Sequence, residues 1–362
     1  MAEISNPLRE VHQQAGAEFQ AYEDIEIVST FGEPPAEYAA VRKGCAMMDL
    51  PHRGLIELTG RDRLTFLNNL LSNQTFDKEK KTGLAAGQQV YAFLLNAKSG
   101  RIITDVTVIE RGDRTWLEVE ARLVETVMAE LNRYLFAEQV KIASLVGTQH
   151  QIALYGPGAA SVLAEYAADL PVWRDEFIGG NVVVMPVAEA RRVWMEFLAR
   201  FGGGEDLGRR RLRPIGWAVF NAARIEAGRP LFGIDFDDTV LPHETGPLLN
   251  RAVSFTKGCY PGQEIVARMH ARGGTARSIV GIRMEGDALP IAGAKIYDAA
   301  GNEIGGVTSS TISPILSNAA IALGIVKRPH FNADTSLTIP AEGEMRRASV
   351  VELPFVKSEA GA

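Results

Sequence analysis

The segment QIALYGPGAASVLAEYAADL, residues 151–170, changes its period partway along. Residues 151–157 form an apolar run stopped by Gly156 and Pro157, the mark of a strand closed by a turn. Residues 158–170 read as a helix. The same order then repeats. NVVVMPV at 181–187 is an apolar strand, and 188–201 is a helix carrying Val193, Trp194, Phe197 and Leu198. Toward the N-terminus, GLIELTG at 54–60 alternates as a strand and ends at Gly60. RDRLTFLNNLLSN at 61–73 sets Leu64, Leu67, Leu70 and Leu71 on one helical face. QVYAFLL (89–95), the turn NAKSG (96–100) and RIITDVTVIE (101–110) form a hairpin. TWLEVEA at 115–121 adds a strand, and 122–136 reads as an amphipathic helix. Strand–helix order in both 54–136 and 151–201 hints at an internal duplication. A further helix is expected at 214–227, entered through Pro214 and left at Gly228. The mixture predicts an α+β body.

From about residue 275 the character shifts. RSIVGIRME, AKIYDAAGNEIGGVTSS, IALGIVK and TSLTIP are short strands parted by Gly, Pro, Asp and Asn, the spacing of a small antiparallel barrel or sandwich. The boundaries that follow are 1–274 for the α+β region, with a break near 140–150, then 275–356 for the barrel and 357–362 for a frayed tail.

The 362 residues exceed one ordinary core, so two or three domains are expected. The net charge of −6 gives no whole-protein attraction for nucleic acid. The one dense basic run is Arg209, Arg210, Arg211 and Arg213. It reads as a solvated turn or as an anchor for an acidic tail such as polyglutamate. No apolar run reaches the roughly 20 residues that span a bilayer. MAEISNPLREVHQQAG carries no secretory pattern, so a cytoplasmic protein is expected. Two cysteines, Cys45 and Cys259, and six scattered histidines give no disulfide framework and no tight metal site. Cys45 begins the apolar run CAMMDL and reads as a buried core thiol.

Three places could carry chemistry. In KGCYPGQE (257–264), two glycines and a proline fix a tight turn ahead of a helix. Cys259 there is either a small structural residue or a thiol whose ionisation is favoured by the helix dipole and Lys257. Asp105 sits in an apolar strand, where it either faces solvent or serves a cavity. If buried, its carboxyl would gain a raised pKa and could share a proton with a ligand nitrogen. In NAARIEAGRPLFGIDFDDTVLPHE, Arg224 and Glu226 are two residues apart, so each needs another partner. Asp235, Asp237 and Asp238 lack calcium-loop spacing and read as loop and capping residues.

These segments resemble a known family. QIALYGPGAASVL (151–163), RIEAGRPLFGID (224–235) and residues 280–326 resemble the glycine-cleavage T-protein superfamily, and KGCYPGQEIVAR (257–268) is similar to the signature of its YgfZ branch. The resemblance covers roughly residues 40–350. It implies a three-lobed T-protein-like fold, with two α+β folate-binding lobes and a C-terminal antiparallel β-barrel. Tetrahydrofolate, or a one-carbon derivative, is the implied cofactor. Asp105 falls on the acid near the folate nitrogens, Tyr91 on a channel-lining position, and Arg224 and Glu226 on the folate-contacting motif. Cys259 falls on the signature cysteine, making Asp105 and Cys259 the implied catalytic pair.

Two departures stand out. Thr104 replaces the first of two adjacent acids. FIGGNVVVMPVAEARR (177–192) stands where aminomethyltransferases carry a Gly-Tyr-Thr-Gly-Glu turn. The expectation is therefore a tetrahydrofolate-binding accessory protein for iron–sulfur cluster assembly or repair, supporting tRNA modification indirectly. Its implied partners are folate and iron–sulfur assembly proteins or cluster enzymes. The alternatives are a folate-dependent aminomethyltransferase or demethylase-like enzyme, and an interaction module that has lost the ligand.

Overall fold

The computed structural model describes residues 6–166, 170–175, 178–203 and 211–357. Arg209, Arg210 and the last five positions of the expected tail lie outside the described residues. The chain folds as two compact units. The first takes residues 1–60, 86–89 and 109–223; the second takes 61–85, 90–108 and 224–362.

Within the first unit, one sheet runs in the order Val172–Asp175, Gly180–Pro186, Gln149–Tyr155, Cys45–Asp49, Leu212–Pro214. Neighbours are antiparallel except the last pair, which is parallel. The helix Val187–Phe201 turns Val193, Trp194, Phe197 and Phe201 onto this sheet, in one core with Met47, Ile152, Leu154 and Val183. Also in this unit, Arg53–Thr59 pairs antiparallel with Arg114–Glu120 on one side and Lys141–Ser144 on the other. Cys45 lies fully buried in the core, as expected of a core thiol, and burial pushes its pKa up to about 12. Arg211 and Arg213 are used in surface pairs with Glu165 and Glu33.

Pro214 does not open a helix. It closes the short strand Leu212–Pro214, opposite Met47. The helix begins at Trp217. A side chain at Gly216 would lie 2.2 Å from the Ser29 carbonyl oxygen, so this crossing accepts only glycine. The helix ends where expected, with Gly228 at φ +62°.

The scattered histidines are partly reunited. Asp49 ends the apolar strand Cys45–Asp49, and its two oxygens meet His12 Nε2 at 2.8 Å and His150 Nε2 at 2.7 Å. Asn6 Nδ2 donates to it at 2.7 Å. Burial alone would raise the Asp49 carboxyl, but the two imidazoles outweigh it and hold the pKa well below the usual range. A depressed folded pKa means that this stabilisation is complete above the unfolded value of about 4 and fades as pH falls below it. Asp49→Asn is therefore expected to cost on the order of 3 kcal/mol near neutrality and to flatten the acid limb of stability against pH. Urea midpoints measured across that range check both.

The second unit holds all but the outer ends of the hairpin strands Gln89–Leu95 and Ile102–Glu110, the helices Arg63–Leu70 and Gln263–Ala271, and a closed barrel. The barrel order is Arg277–Met284, Ala319–Lys327, Glu303–Ser313, Lys295–Tyr297, Ser336–Ala341, Glu344–Val351, antiparallel throughout. Ile282, Ile296, Ala322, Leu337, Ile339 and Val350 fill it. The architecture is α+β with a C-terminal antiparallel β-barrel, as the sequence predicts.

Candidate functional site

Asp105 and Tyr91 come together on the hairpin. The turn between their strands is pinned by Asn96, whose side-chain oxygen accepts the Lys98 and Ser99 backbone N–H groups at 3.0 Å. Tyr91 Oη donates to Asp105 Oδ2 at 2.9 Å. Asp105 is 8% exposed, and its other oxygen, Oδ1, is buried with no partner among the described residues. A buried carboxylate oxygen left without a donor costs free energy of about 1–3 kcal/mol or more. Such an atom calls for a donor from outside the described protein groups, a water or a ligand. The strand's choice between solvent and cavity is thus resolved toward the interior. Beside the pair stands an aromatic wall: Tyr91 against Phe93, Phe93 against Phe236, and Phe236 edge-on to Phe232, with ring centroids 5.6–6.1 Å apart. Thr104, fully buried, bonds only the Asp105 carbonyl oxygen and supplies no second acid.

Arg224 and Glu226 behave differently. Both are fully buried at the end of the helix Trp217–Glu226. Arg224 pairs with Asp235 through Nη1 and donates from Nη2 to Ser309 Oγ at 2.7 Å. Glu226 accepts from Ser313 Oγ. Ser309 and Ser313 belong to the barrel strand Glu303–Ser313, so the partners each residue needed come from the barrel. Asp235 is more than a loop cap. It also accepts from Thr308 Oγ1 at 2.6 Å and from Ser309 Oγ, making it a buried hub. Asp237 keeps the capping role, accepting the Thr239 N–H and hydroxyl.

The turn KGCYPGQE packs on the hairpin turn. Gly262, at φ +81°, begins the helix Gln263–Ala271. A Cβ there would stand 3.0 Å from Asn96 O and 3.2 Å from Gly100 Cα. A Cβ on Gly100 would meet Ile265 Cβ at 2.9 Å. Gly262→Ala is expected to cost about 1–2 kcal/mol through the left-handed backbone alone, read as a lowered melting midpoint. A cleft of about 500 Å³ lies along this junction, lined by Lys98, Tyr260, Gln263, Ile265 and Arg268 among others. Cys259 is exposed. Lys257 is turned inward, 7% exposed, with Nζ donating to the Asn68 carbonyl oxygen and lying 4.8 Å above the Tyr260 ring. Its inward turn is not legible from a lysine in a glycine-rich loop.

The segment that stands where aminomethyltransferases carry the Gly-Tyr-Thr-Gly-Glu turn is in the first unit. Gly180 has no room for a side chain, because a Cβ would fall 2.3 Å from the Tyr155 ring. Tyr155 Oη in turn donates to the buried Asp175 at 3.3 Å.

Comparisons with known proteins fit this geometry. The family model described as the GCVT N-terminal domain matches residues 8–196, and that of the glycine cleavage T-protein C-terminal barrel domain matches residues 277–357. An aminomethyltransferase of Saccharopolyspora erythraea is 28% identical, covering 98% of each chain. One from Rippkaea orientalis is 29% identical over the same shares. The crystal structure of the glycine cleavage system aminomethyltransferase T from Bartonella henselae superposes with a TM-score of 0.85 at 26% identity, covering 97% of both chains.

Proposed function

This chain belongs to the glycine cleavage T-protein family, and from that premise we propose that it binds tetrahydrofolate and passes a one-carbon unit to or from it. The observation that carries the proposal is the unpartnered Asp105 Oδ1, held in place through the Tyr91 bond on the other oxygen. A reduced pterin carries N–H groups and a nitrogen that gains or loses a proton as its one-carbon substituent is made or lost. Asp105 is suited to accept that proton and to orient the nitrogen. The Phe93–Phe236 wall gives an apolar flank for a flat ring system.

Arg224 and Glu226 join the helix end to the barrel, and this reading does not depend on the folate contact that the family resemblance implies for them. Calorimetric titration with tetrahydrofolate and 5-formyltetrahydrofolate tests the proposal. Saturable binding in the full chain, weakened by Asp105→Ala, is expected; no heat with either folate overturns it.

A second reading, service to iron–sulfur proteins in the manner of the YgfZ branch, is favoured by the exposed Cys259 within KGCYPGQE and by FIGGNVVVMPVAEARR standing at the position of the glutamate turn. It predicts that Cys259→Ser fails to restore cluster-enzyme activity in a deletion strain. Full restoration removes it and leaves the transfer reading.

A further inference from the structure

The cleft of about 500 Å³ between the hairpin turn and the helix Gln263–Ala271 is lined by hydrogen-bond donors that the protein leaves unused. Tyr260 lines it while only 6% exposed, and its hydroxyl has no hydrogen-bond partner among the described residues. Burial pushes that phenol up to about 12, so it stays a neutral donor at physiological pH. A hydroxyl withdrawn from bulk water calls for an acceptor. On the opposite wall Lys98 is exposed, with no ion-pair partner among the described residues. The helix begins at this cleft without a side-chain cap on Gly262. The Gln263 N–H reaches the Tyr260 carbonyl oxygen at 3.2 Å, but the Glu264 and Ile265 N–H groups have no acceptor among the described residues. These first amides carry the positive end of the helix dipole. Arg268, one turn further on, pairs with Glu264 of the same helix.

We propose that this cleft binds a phosphomonoester, with the phosphate seated between Lys98, the Tyr260 hydroxyl and the amides of Glu264 and Ile265. The donors stand on two walls, one from the hairpin turn and one from the helix. A carboxylate offers two oxygens in a single plane. A phosphate dianion offers three terminal oxygens spread about a tetrahedron, and so meets donors from both walls at once. The cleft is larger than a lone phosphate ion, which leaves room for the organic part of the ester, and Ile265 gives that part an apolar contact. Glu264 acts as an internal competitor. Its carboxylate holds Arg268 in this structure, and an incoming dianion repels the carboxylate and takes over the guanidinium fork. Neither Asp105 nor Tyr91 lines this cleft, and the proposal does not rest on the one-carbon reading.

The test is calorimetric titration of the full chain, without folate and at fixed ionic strength, with phenyl phosphate, inorganic phosphate and benzoate. Phenyl phosphate should bind saturably and more tightly than inorganic phosphate. Benzoate should bind at least about tenfold more weakly than phenyl phosphate, lacking the second charge and the third oxygen. Lys98→Met should weaken phenyl phosphate by about tenfold, the worth of one hydrogen bond to a charged group. Tyr260→Phe should weaken it by about fivefold. Glu264→Gln should tighten it by about threefold, because the competing surface ion pair is gone. Lys141→Met, which removes the same charge from an exposed strand residue elsewhere, should change nothing. Lys98, Glu264 and Lys141 are all exposed, so these three variants keep the fold and decide the matter even if Tyr260→Phe does not. No saturable binding of phenyl phosphate overturns the proposal, as does equal loss in Lys98→Met and Lys141→Met. Benzoate or inorganic phosphate binding as tightly as phenyl phosphate also overturns it, the first by removing the preference for phosphate and the second by assigning the cleft to the free ion.

Discussion

Asp105→Asn is expected to slow one-carbon transfer with tetrahydrofolate by about 10²–10⁴-fold in single-turnover experiments, the usual contribution of a positioned acid–base group. Asparagine keeps the shape and can still accept from Tyr91. What it loses is the negative charge on the oxygen that no donor among the described residues reaches. The change should fall mainly on the transfer rate, with folate affinity altered less. Stability should not suffer, because that oxygen makes no internal bond to break; an equal or higher melting midpoint is expected. An unchanged transfer rate, with folding intact, would remove Asp105 from the chemistry.

Asp235→Ala is expected to be the most destabilising single change, costing about 3–5 kcal/mol, as removal of one partner from a buried ion pair does. It leaves the Arg224 guanidinium, 0% exposed, without its carboxylate, and removes the Asp235 oxygen that accepts from the Ser309 and Thr308 hydroxyls. Replacing both partners with apolar residues, Arg224→Met with Asp235→Leu, should recover most of the loss, because neither charge then needs desolvation. Urea denaturation of the two singles and the double measures the coupling. A double variant no more stable than the worse single would mean that the serines and threonine, not the ion pair, hold the helix end to the barrel.

Local pattern made much of this molecule legible. An acid inside RIITDVTV announced that the hairpin had a special position, and glycines around Cys259 announced a tight turn. Alternation and turn residues marked most of the barrel. Its last strand, Glu344–Val351, escaped notice because Glu344, Met345 and Arg347 are exposed and only Ala348 and Val350 are buried. A strand with two inward residues carries too weak a periodicity to read. Long-range pairings were equally silent. Nothing in LRP at 212–214 foretells a parallel match to Cys45–Asp49, and nothing in GIDFDD says which of three acids turns inward toward Arg224. The clue to the His12–Asp49–His150 group was present but slight: an acid closing the otherwise apolar CAMMDL run.

The second unit is assembled from three separate stretches of chain, 61–85, 90–108 and 224–362. During translation the hairpin bearing Tyr91 and Asp105 leaves the ribosome long before the segments that complete its unit exist. A nascent chain halted short of residue 224 would carry Phe93 and its neighbours without Phe236 to cover them, a sticky intermediate of the kind that chaperones hold. Assembly of the unit therefore waits on stretches of chain made long after the hairpin.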